Sequence, residues 1–361
     1  MLAERVLVVE DDRFLRVVGI VLDPRTSAER HAAYADFFAH DEPDFAGYCE
    51  RLRARVGSLF PSEVRLVDTP AQMRAALPGS SAVVVESLAV GEAELAAGRD
   101  LRVVQKYGAR PRNIDAAACA ARGVKVLTIR RRANIACAEL ALALMLTLAK
   151  NLHRLAGRIS VEQLAAIGYR YRPFDRRHTP NSNWSRISGL RMLNGATLGI
   201  IGLGEIGREI AIRAAAFGMR ILYHQRSRLS EAEERELAAT YAPLEELLAQ
   251  SDWVVPQLPS APATRGFIGR EQFARMKGGA CLINISRADL VDRAALLEAL
   301  ESGRLGGFAL DPLYEEPGRS DDELLRFDNV VLSPHIAAQP RFNALDDLAE
   351  MMERLARELT A

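Results

Sequence analysis

The chain has 361 residues, of which 49% are hydrophobic and 26% are charged, an ordinary globular composition in a chain long enough for two domains. Its 47 lysines and arginines balance its 47 aspartates and glutamates, which argues against a basic surface for nucleic acid or an anionic membrane. The start lacks a secretory signal pattern, and the four cysteines show neither disulfide nor metal-ligand spacing, so we expect a cytoplasmic protein without a metal site.

Short apolar runs alternate with helical spacing in the first third, which predicts a parallel sheet with crossover helices. A stretch rich in acids and aromatics, residues 13–59, separates the first two runs, and we expect helical decoration there. The apolar segment 135–149 contains Glu139 and is shorter than the roughly 20 residues that span a bilayer, so we predict a buried part of a long helix. The predicted strands are residues 5–9, 63–67, 81–85, 101–105 and 123–127, and the long helix is 134–155.

The second half of the chain follows a more regular strand and helix alternation, the pattern of a doubly wound sheet. Before it, residues 168–188 hold prolines and arginines without periodicity, and we interpret them as a loop or arm joining two domains. The last helix, 343–358, is long enough to cross back onto the first domain. The predicted strands are residues 196–201, 220–223, 253–258, 280–285, 307–310 and 330–332.

A G-x-G-x-x-G motif, Gly202 to Gly207, stands between a strand-like run and a predicted helix, the context that makes this motif informative. Gly202 permits the tight turn, Gly204 lets the backbone approach a pyrophosphate, and Gly207 lets helix and strand pack closely. The helix N-terminus supplies amides to the phosphates. The sequence therefore predicts a dinucleotide site, with Glu205 and Ile206 inside the motif.

The segment after the next strand is Gln225, Arg226, Ser227 and Arg228, and no acid occurs before Glu231. A site that prefers NAD usually places an acid here to bind the ribose hydroxyls. Guanidinium groups instead suit a 2′-phosphate. We therefore predict that NADP(H) is favoured over NAD(H); solvated loop arginines, with NAD(H) as cofactor, are the alternative.

Three later segments place polar groups directly after apolar strands, on the side where such sheets bind ligands. They carry Arg287, then Asp311 with Glu316, then His335. An arginine can hold a carboxylate and polarise a carbonyl, and a histidine can exchange a proton with an oxygen. The three segments thus make chemical sense together.

From about residue 101 to residue 338 the sequence resembles the D-isomer-specific 2-hydroxyacid dehydrogenases, which include glyoxylate, hydroxypyruvate, phosphoglycerate and D-lactate enzymes. The resemblance implies hydride transfer between a nicotinamide dinucleotide and a small 2-oxo or 2-hydroxy acid, in a homodimer packed through the long helix. The motifs that carry it are Asn113-Ile114-Asp115, Cys137-Ala138-Glu139, the glycine motif, Leu258-Pro259, Thr264-Arg265-Gly266, residues 276–280, 284–287 and 290–292, Leu310-Asp311, Glu316-Pro317 and Pro334-His335.

The resemblance also implies the fold and its division. We expect an α/β protein of two Rossmann-like doubly wound domains. Residues 1–132 with 338–361 would form a flavodoxin-like substrate domain, and residues 133–337 an inserted NAD(P)-binding domain.

By the same resemblance, Arg287, Glu316 and His335 are the catalytic triad. Arg287 grips the substrate carboxylate or carbonyl oxygen, and His335 donates a proton to that oxygen during reduction. Glu316 orients the histidine and favours its protonated form; Glu315 competes for this role, but the family's acid directly precedes the proline.

Further contacts follow from the resemblance. Asp311 would bond the nicotinamide amide. The family's substrate-carboxylate loop matches Tyr107, Gly108 and Ala109, although Ala109-Arg110 departs from the usual G-x-G and leaves the substrate's identity open. The other cofactor contacts would come from Pro259, Thr264, Ile285 and Ala337.

Three other functions compete with this interpretation. The same fold serves dinucleotide-sensing corepressors, although the intact triad argues against a purely binding role. Residues Glu10-Asp11-Asp12 look like the opening of a phospho-receiver domain, but the nearest phosphoacceptor candidate, Asp44, follows no strand-like run. Formate or phosphite oxidation on a related scaffold ranks low because its pocket residues are not found.

Overall fold

The computed structural model describes residues 5–360 and divides the chain into two units. Within this range, unit 1 consists of residues 5–136 and 338–360, and unit 2 of residues 137–337. The predicted boundary at 132/133 and the boundary at 136/137 both fall within helix α7 (Arg132–Ala149). The α/β class with two parallel sheets is confirmed.

Unit 1 is built on a five-stranded parallel sheet of order β2-β1-β3-β4-β5. Its central strands are short runs rich in valine that are buried on both faces, as in β3, whose four residues are all inaccessible, whereas the edge strands β2 and β5 are partly exposed. The strands are β1 (Arg5–Glu10), β2 (Ser62–Val67), β3 (Ala82–Val85), β4 (Val103–Lys106) and β5 (Lys125–Leu127). The helices are α1 (Arg16–Leu22), α2 (Ala28–Phe38), α3 (Phe45–Val56), α4 (Pro70–Ala76), α5 (Glu92–Ala97), α6 (Ala116–Ala121) and α15 (Phe342–Thr360).

The helical decoration expected between the first two strands is confirmed as α1, α2 and α3. Its aromatic residues form part of the unit 1 core: the Phe38 ring stacks on Phe45 at a centroid distance of 5.4 Å, and Phe45 stacks on Tyr48. The Tyr48 hydroxyl donates to the Leu345 carbonyl in α15 over 2.7 Å. Through these contacts the last helix packs on unit 1, the first domain, to which it was predicted to return.

Unit 2 is built on a seven-stranded parallel sheet of order β12-β11-β10-β9-β6-β7-β8, and the strand order reverses between β6 and β9. In such sheets ligands bind beyond the carboxyl ends of the strands at this reversal. The strands are β6 (Thr197–Ile201), β7 (Arg220–His224), β8 (Ala239–Tyr241), β9 (Trp253–Pro256), β10 (Ala280–Asn284), β11 (Leu305–Leu310) and β12 (Val330–Leu332). The helices are α8 (Leu152–Leu155), α9 (Val161–Ala165), α10 (Glu205–Ala216), α11 (Glu231–Glu236), α12 (Leu244–Gln250), α13 (Arg270–Arg275) and α14 (Arg293–Glu301).

The predicted helix 134–155 is wrong in one respect, because the chain breaks between α7 and α8. Asn151 adopts the left-handed conformation, with φ of 54°, which ends the α-helical path. Helix α7 is long and apolar enough to cross a membrane by length and composition, a test that the core helix of a soluble protein also passes. Its apolar window is 44% buried, so the predicted burial is only partial.

Candidate active site

The glycine motif forms the turn between β6 and α10 in unit 2. Gly202 has φ of +96°, and a Cβ there would lie 2.4 Å from the Gln257 carbonyl oxygen. A Cβ on Gly207 would lie 2.5 Å from the Gly202 carbonyl oxygen, so only glycine lets the helix start this close to the turn. Gly204, the N-cap of α10, has no atom within 4 Å of its Cβ position. The turn thus has one open side, where the backbone is approachable, directly at a helix N-terminus.

The polar segment after β7 lies beside this turn. The Gln225 side-chain oxygen accepts from the Leu203 amide over 3.3 Å, which ties the two loops together. Arg228 forms a two-point ion pair with Glu234, at 2.8 and 2.9 Å. Hydrogen bonds from Arg228 and from the Tyr223 hydroxyl lower the pKa of Glu234 to about 2. Arg226 is exposed and has no hydrogen-bond or ion-pair partner among residues 5–360.

Arg287 follows β10, on a loop held by a buried amide. Asn284 is fully buried; its side-chain oxygen accepts from the Ser286 amide over 3.0 Å, and its nitrogen donates to the Arg287 carbonyl over 2.7 Å. The Arg287 side chain is exposed and donates to the Ser286 carbonyl. Asn284 therefore fixes the backbone that presents the guanidinium. Its position at a strand end within a polar segment was the only signal for this role.

Glu316 and His335 form a hydrogen-bonded pair at the ends of β11 and β12. The Nδ1 atom of His335 lies 3.0 Å from the Glu316 carboxylate, which also accepts from the Leu313 amide over 2.9 Å. The bond to His335, with smaller contributions from the Leu313 amide and the Arg287 charge, lowers the pKa of Glu316. The residue beside the histidine is thus Glu316 rather than Glu315, and it remains a carboxylate at neutral pH.

His335 has φ of 56°, a strained value for a residue other than glycine. Asp311 accepts hydrogen bonds from the residues on both sides of His335, and these bonds stabilise the strained backbone. The Asp311 carboxylate is fully buried and accepts from the Ser333 hydroxyl at 2.6 Å and from the Ile336 and Ala337 amides at 2.9 and 2.8 Å. The Asp311 carbonyl accepts from the His335 amide. Ser333 was not singled out by the sequence.

The remaining predicted contacts lie in both units. Thr264 donates to the Pro259 carbonyl over 2.6 Å and closes the loop after β9. Ile285, after β10, and Ala337 are buried at the same carboxyl edge of the unit 2 sheet. Tyr107, Gly108 and Ala109 follow β4 in unit 1, where the Tyr107 ring is 3% exposed and the Arg131 guanidinium lies 5.2 Å from its centroid.

The donor set fits a dinucleotide. The open backbone at Gly204 stands at the strand reversal, with the N-terminus of α10 beneath it and Arg226 nearby on the next loop. Helix N-termini and arginines both favour phosphate oxygens. No cluster of three histidine, cysteine or acidic residues suited to a metal ion occurs among the described residues.

Comparison with known proteins agrees with this geometry. Residues 142–337 match the family model of the D-isomer-specific 2-hydroxyacid dehydrogenase NAD-binding domain. A glyoxylate reductase of Pyrococcus furiosus is 38% identical over 254 residues, which are 70% of this chain and 71% of that protein. A D-3-phosphoglycerate dehydrogenase of Archaeoglobus fulgidus is 33% identical over 73% of this chain and 47% of its own length.

Solved structures share the fold. A glyoxylate reductase from Paecilomyes thermophila superimposes with a TM-score of 0.54 at 22% identity, over 99% of this chain and 96% of that one. The family match covers more than half of the 361 residues, and its relatives are named as reductases and dehydrogenases. The chain therefore belongs to the D-isomer-specific 2-hydroxyacid dehydrogenases, and it is an oxidoreductase that acts on the CH–OH group of its donor and binds a nicotinamide dinucleotide.

Proposed function

We propose that this chain reduces a small 2-oxo acid to the 2-hydroxy acid with NADPH, using His335, Glu316 and Arg287. The observation that carries the proposal is the 3.0 Å contact between the His335 Nδ1 atom and the Glu316 carboxylate, beside the loop of Arg287. All three side chains follow carboxyl ends of parallel strands in unit 2, the edge on which the glycine turn also lies.

His335 acts as the general acid. Glu316 accepts a hydrogen bond from the Nδ1–H group, so Nε2 is the nitrogen available to a reacting oxygen. Because the pKa of Glu316 is lowered, its negative charge persists at neutral pH and stabilises the imidazolium. In reduction Nε2 gives its proton to the carbonyl oxygen, and in oxidation neutral His335 takes the hydroxyl proton back.

Arg287 holds the substrate. Its exposed guanidinium keeps donors for a carboxylate or a carbonyl oxygen, and charge on that oxygen grows during reduction. The bound dinucleotide supplies or receives the hydride. The backbone of residues 107–109 is proposed to add donors to the substrate carboxylate, in line with a substrate role for unit 1.

The preference for NADP(H) rests on the loop after β7. Arg226 is the exposed guanidinium without an ion-pair partner among the described residues, whereas Glu234 holds Arg228 at two points. We therefore assign the 2′-phosphate to Arg226 and Ser227, with Arg228 shaping the loop. A homodimer through α7 and a cytoplasmic location stay predictions.

The test is a comparison of NADPH and NADH with glyoxylate, hydroxypyruvate and pyruvate, followed by absorbance. His335→Ala is the test variant, and His178→Ala, on the exposed arm, is the matched control. We expect NADPH oxidation with at least one acid, lowered by about 10²-fold or more in His335→Ala and unchanged in His178→Ala. Faster oxidation of NADH than of NADPH would refute the proposed preference for NADP(H) and leave the proposed catalytic residues unaffected. Binding of both dinucleotides without turnover of any 2-oxo acid would favour a dinucleotide sensor.

A further inference from the structure

The edge of the unit 2 sheet opposite the proposed active site carries two adjoining cavities. The smaller, of about 370 Å³, is lined by residues that precede β6, β9 and β10, including Arg191, Asp252 and Lys277. The larger, of about 750 Å³, extends between α13 and α14 to Arg304, just before β11. Both are lined by Gly278 and Gly279. The catalytic and dinucleotide residues follow the opposite, carboxyl ends of the strands, so the proposed function uses neither cavity.

The acidic side chains of this groove are already neutralised. Asp252 accepts from the Lys277 ammonium over 2.5 Å and from the Thr197 amide over 2.9 Å. Glu298 forms a two-point pair with Arg270, with one contact of 2.7 Å. Arg191 and Arg304 form no ion pair with an acid among residues 5–360. The hydrogen bond from Lys277 does most to lower the pKa of Asp252, and the more distant Arg191 charge contributes. With both acids paired to other cations, the groove has a surplus of positive charge.

Each of these two guanidiniums is held by hydrogen bonds to backbone carbonyls and still has N–H groups that could bind a ligand. Arg191 donates through Nη1 to the Gly279 carbonyl over 2.8 Å, and within residues 5–360 its Nη2 and Nε have no hydrogen-bond partner. Arg304 donates through Nε and Nη2 to the carbonyls of Phe273, Ala274 and Met276, and its Nη1 has no partner in the same set. The anchoring fixes the positions of both groups before any ligand arrives.

Glycine residues leave the space between the two guanidiniums free of side chains. A Cβ on Gly278 would lie 3.9 Å from the Arg304 Nη1 atom, and one on Gly279 would lie 3.8 Å from the Arg191 Nη2 atom. A Cβ on Gly306 would lie 2.1 Å from the Gly279 carbonyl oxygen and 2.8 Å from the same Nη2 atom, so glycine there leaves room for both the Gly279 backbone and the Arg191 guanidinium. The two donors therefore face neighbouring residues, whose Cα atoms are about 3.8 Å apart.

We propose that this groove is a second binding site, for a small metabolite with two or more negative charges, held between Arg191 and Arg304 over Gly278 and Gly279. Fixed guanidiniums bind phosphate and carboxylate oxygens at two points, and the smaller cavity alone has the volume of a small-molecule site. The shared chemistry is that of a phosphate or polycarboxylate group. The site is independent of the hydride-transfer chemistry.

The fluorescence of a tryptophan beside the groove can report ligand binding. Trp253 lines the smaller cavity and is one of the two tryptophans, so Trp184→Phe in the full chain leaves it as the sole one. Orthophosphate and citrate are titrated into this protein at constant ionic strength, with potassium chloride as the control salt, and Trp253 emission is followed. We expect a saturable change with orthophosphate, citrate or both, and none with chloride; the tighter probe identifies the ligand as phosphorylated or polycarboxylic.

Three further variants separate the proposal from general charge effects. Arg191→Gln removes one guanidinium, and Gly278→Ala fills the cradle at ordinary contact distance without backbone strain; each should weaken binding about tenfold or more. Arg235→Gln, on the exposed helix α11, should bind as the parent does. No saturable change with either probe, or equal binding by Arg191→Gln, would overturn the proposal. Thermal unfolding checks that each variant is folded, and turnover of 2-oxo acids is not part of the readout.

Discussion

At the residue scale, the Glu316 carboxylate supplies the charge and the hydrogen-bond acceptor beside His335. Hydrogen bonding to His335 lowers the pKa of Glu316, so the carboxylate is charged throughout the range in which a histidine titrates. A charged neighbour favours the imidazolium form. A persistent negative charge next to the Nδ1 atom therefore accompanies the histidine in either direction of the reaction.

Substituting Glu316→Gln should weaken reduction. Glutamine keeps a hydrogen-bond acceptor for Nδ1 but has no negative charge, so it cannot compensate the positive charge that His335 carries as the proton donor. We expect kcat at pH 8 to fall by about tenfold or more, measured across pH 5 to 9. Glu315→Gln, an exposed neighbour, is the control and should keep the parent profile. An unchanged profile in Glu316→Gln would remove the carboxylate from the mechanism.

A second residue-scale prediction concerns two arginines that the sequence alone treats as equivalent. Arg226→Ala should lower kcat/KM for NADPH by about 10- to 100-fold, the value of a charge-assisted bond to phosphate, and leave that for NADH nearly unchanged. Arg228→Ala should have a smaller effect on NADPH, because Glu234 already holds its guanidinium. If Arg228→Ala has the larger effect, the ion pair with Glu234 must break when the cofactor binds.

At the scale of elements, two turns carry the site: the one from β6 to α10 and the one that follows β12. The first is shaped by glycines, since Gly202 and Gly207 have no room for a Cβ. The second is shaped by the buried carboxylate of Asp311 at the end of β11. The absence of a side chain therefore sets the geometry of the first turn, and one buried side chain sets that of the second.

Two substitutions in the glycine turn should separate an effect on stability from an effect on dinucleotide binding. Gly202→Ala should lower the free energy of unfolding by about 2 kcal/mol or more, because φ is +96° and a backbone carbonyl lies 2.4 Å from the new atom. Gly204→Ala should cost about 1 kcal/mol or less, since nothing lies within 4 Å, yet weaken dinucleotide binding strongly. Denaturant unfolding and fluorescence titration check the pair. Tight dinucleotide binding by Gly204→Ala would place the pyrophosphate elsewhere.

The turn after β12 should respond to Asp311→Asn in two ways. An amide cannot accept all three bonds, and an unsatisfied buried donor costs about 1–3 kcal/mol, so the melting temperature should fall. Because His335 loses its fixed backbone, kcat should fall as well. Ser333→Ala removes one bond and leaves the carboxylate, so it should show a smaller loss of both. Weaker dinucleotide binding at unchanged stability would instead support the predicted contact between Asp311 and the nicotinamide amide.

Buried strands could be predicted from the sequence, whereas a short polar strand and a helix break could not. Apolar runs such as 197–201 and 280–284 were found because buried parallel strands are almost uniformly hydrophobic. Strand β8 was missed because its sequence, Ala-Thr-Tyr, is not an apolar run, whereas the equally short edge strand β12, Val-Val-Leu, was predicted. The break at Asn151 was missed because helical spacing resumes directly after it, at Leu152 to Leu155, although asparagine tolerates the left-handed conformation better than most residues.

For the candidate site, residue types and order predicted which side chains would gather at one sheet edge, but not their partners. The pairing of Arg228 with Glu234 depends on where α11 begins relative to β7. The burial of Asp311 depends on how the chain turns after β12. Such contacts are set by tertiary packing, and spacing in one sequence does not determine them.

At the scale of the whole molecule, opposite charges cancel. The net charge is zero with histidine neutral, and the isoelectric point is near 7.0. Self-repulsion between copies is therefore weakest near neutral pH. We expect solubility in polyethylene glycol to be lowest near pH 7 and to rise at pH 6 and pH 8, as measured by the protein remaining in solution at equilibrium. Constant solubility across this range would mean that local patches, rather than net charge, control association.

The pairing of Leu310 with Leu332 across β11 and β12 also bears on how this chain can vary in length. It fixes Asp311 beneath the turn of His335, so an insertion or deletion within 311–316 or 332–337 would separate the acid from the histidine it serves. Residues 318–321 are exposed, carry no strand or helix, and lie between these two segments. Natural insertions, affinity tags or split points should therefore be tolerated there, a few residues from the chemistry, and rejected on either side.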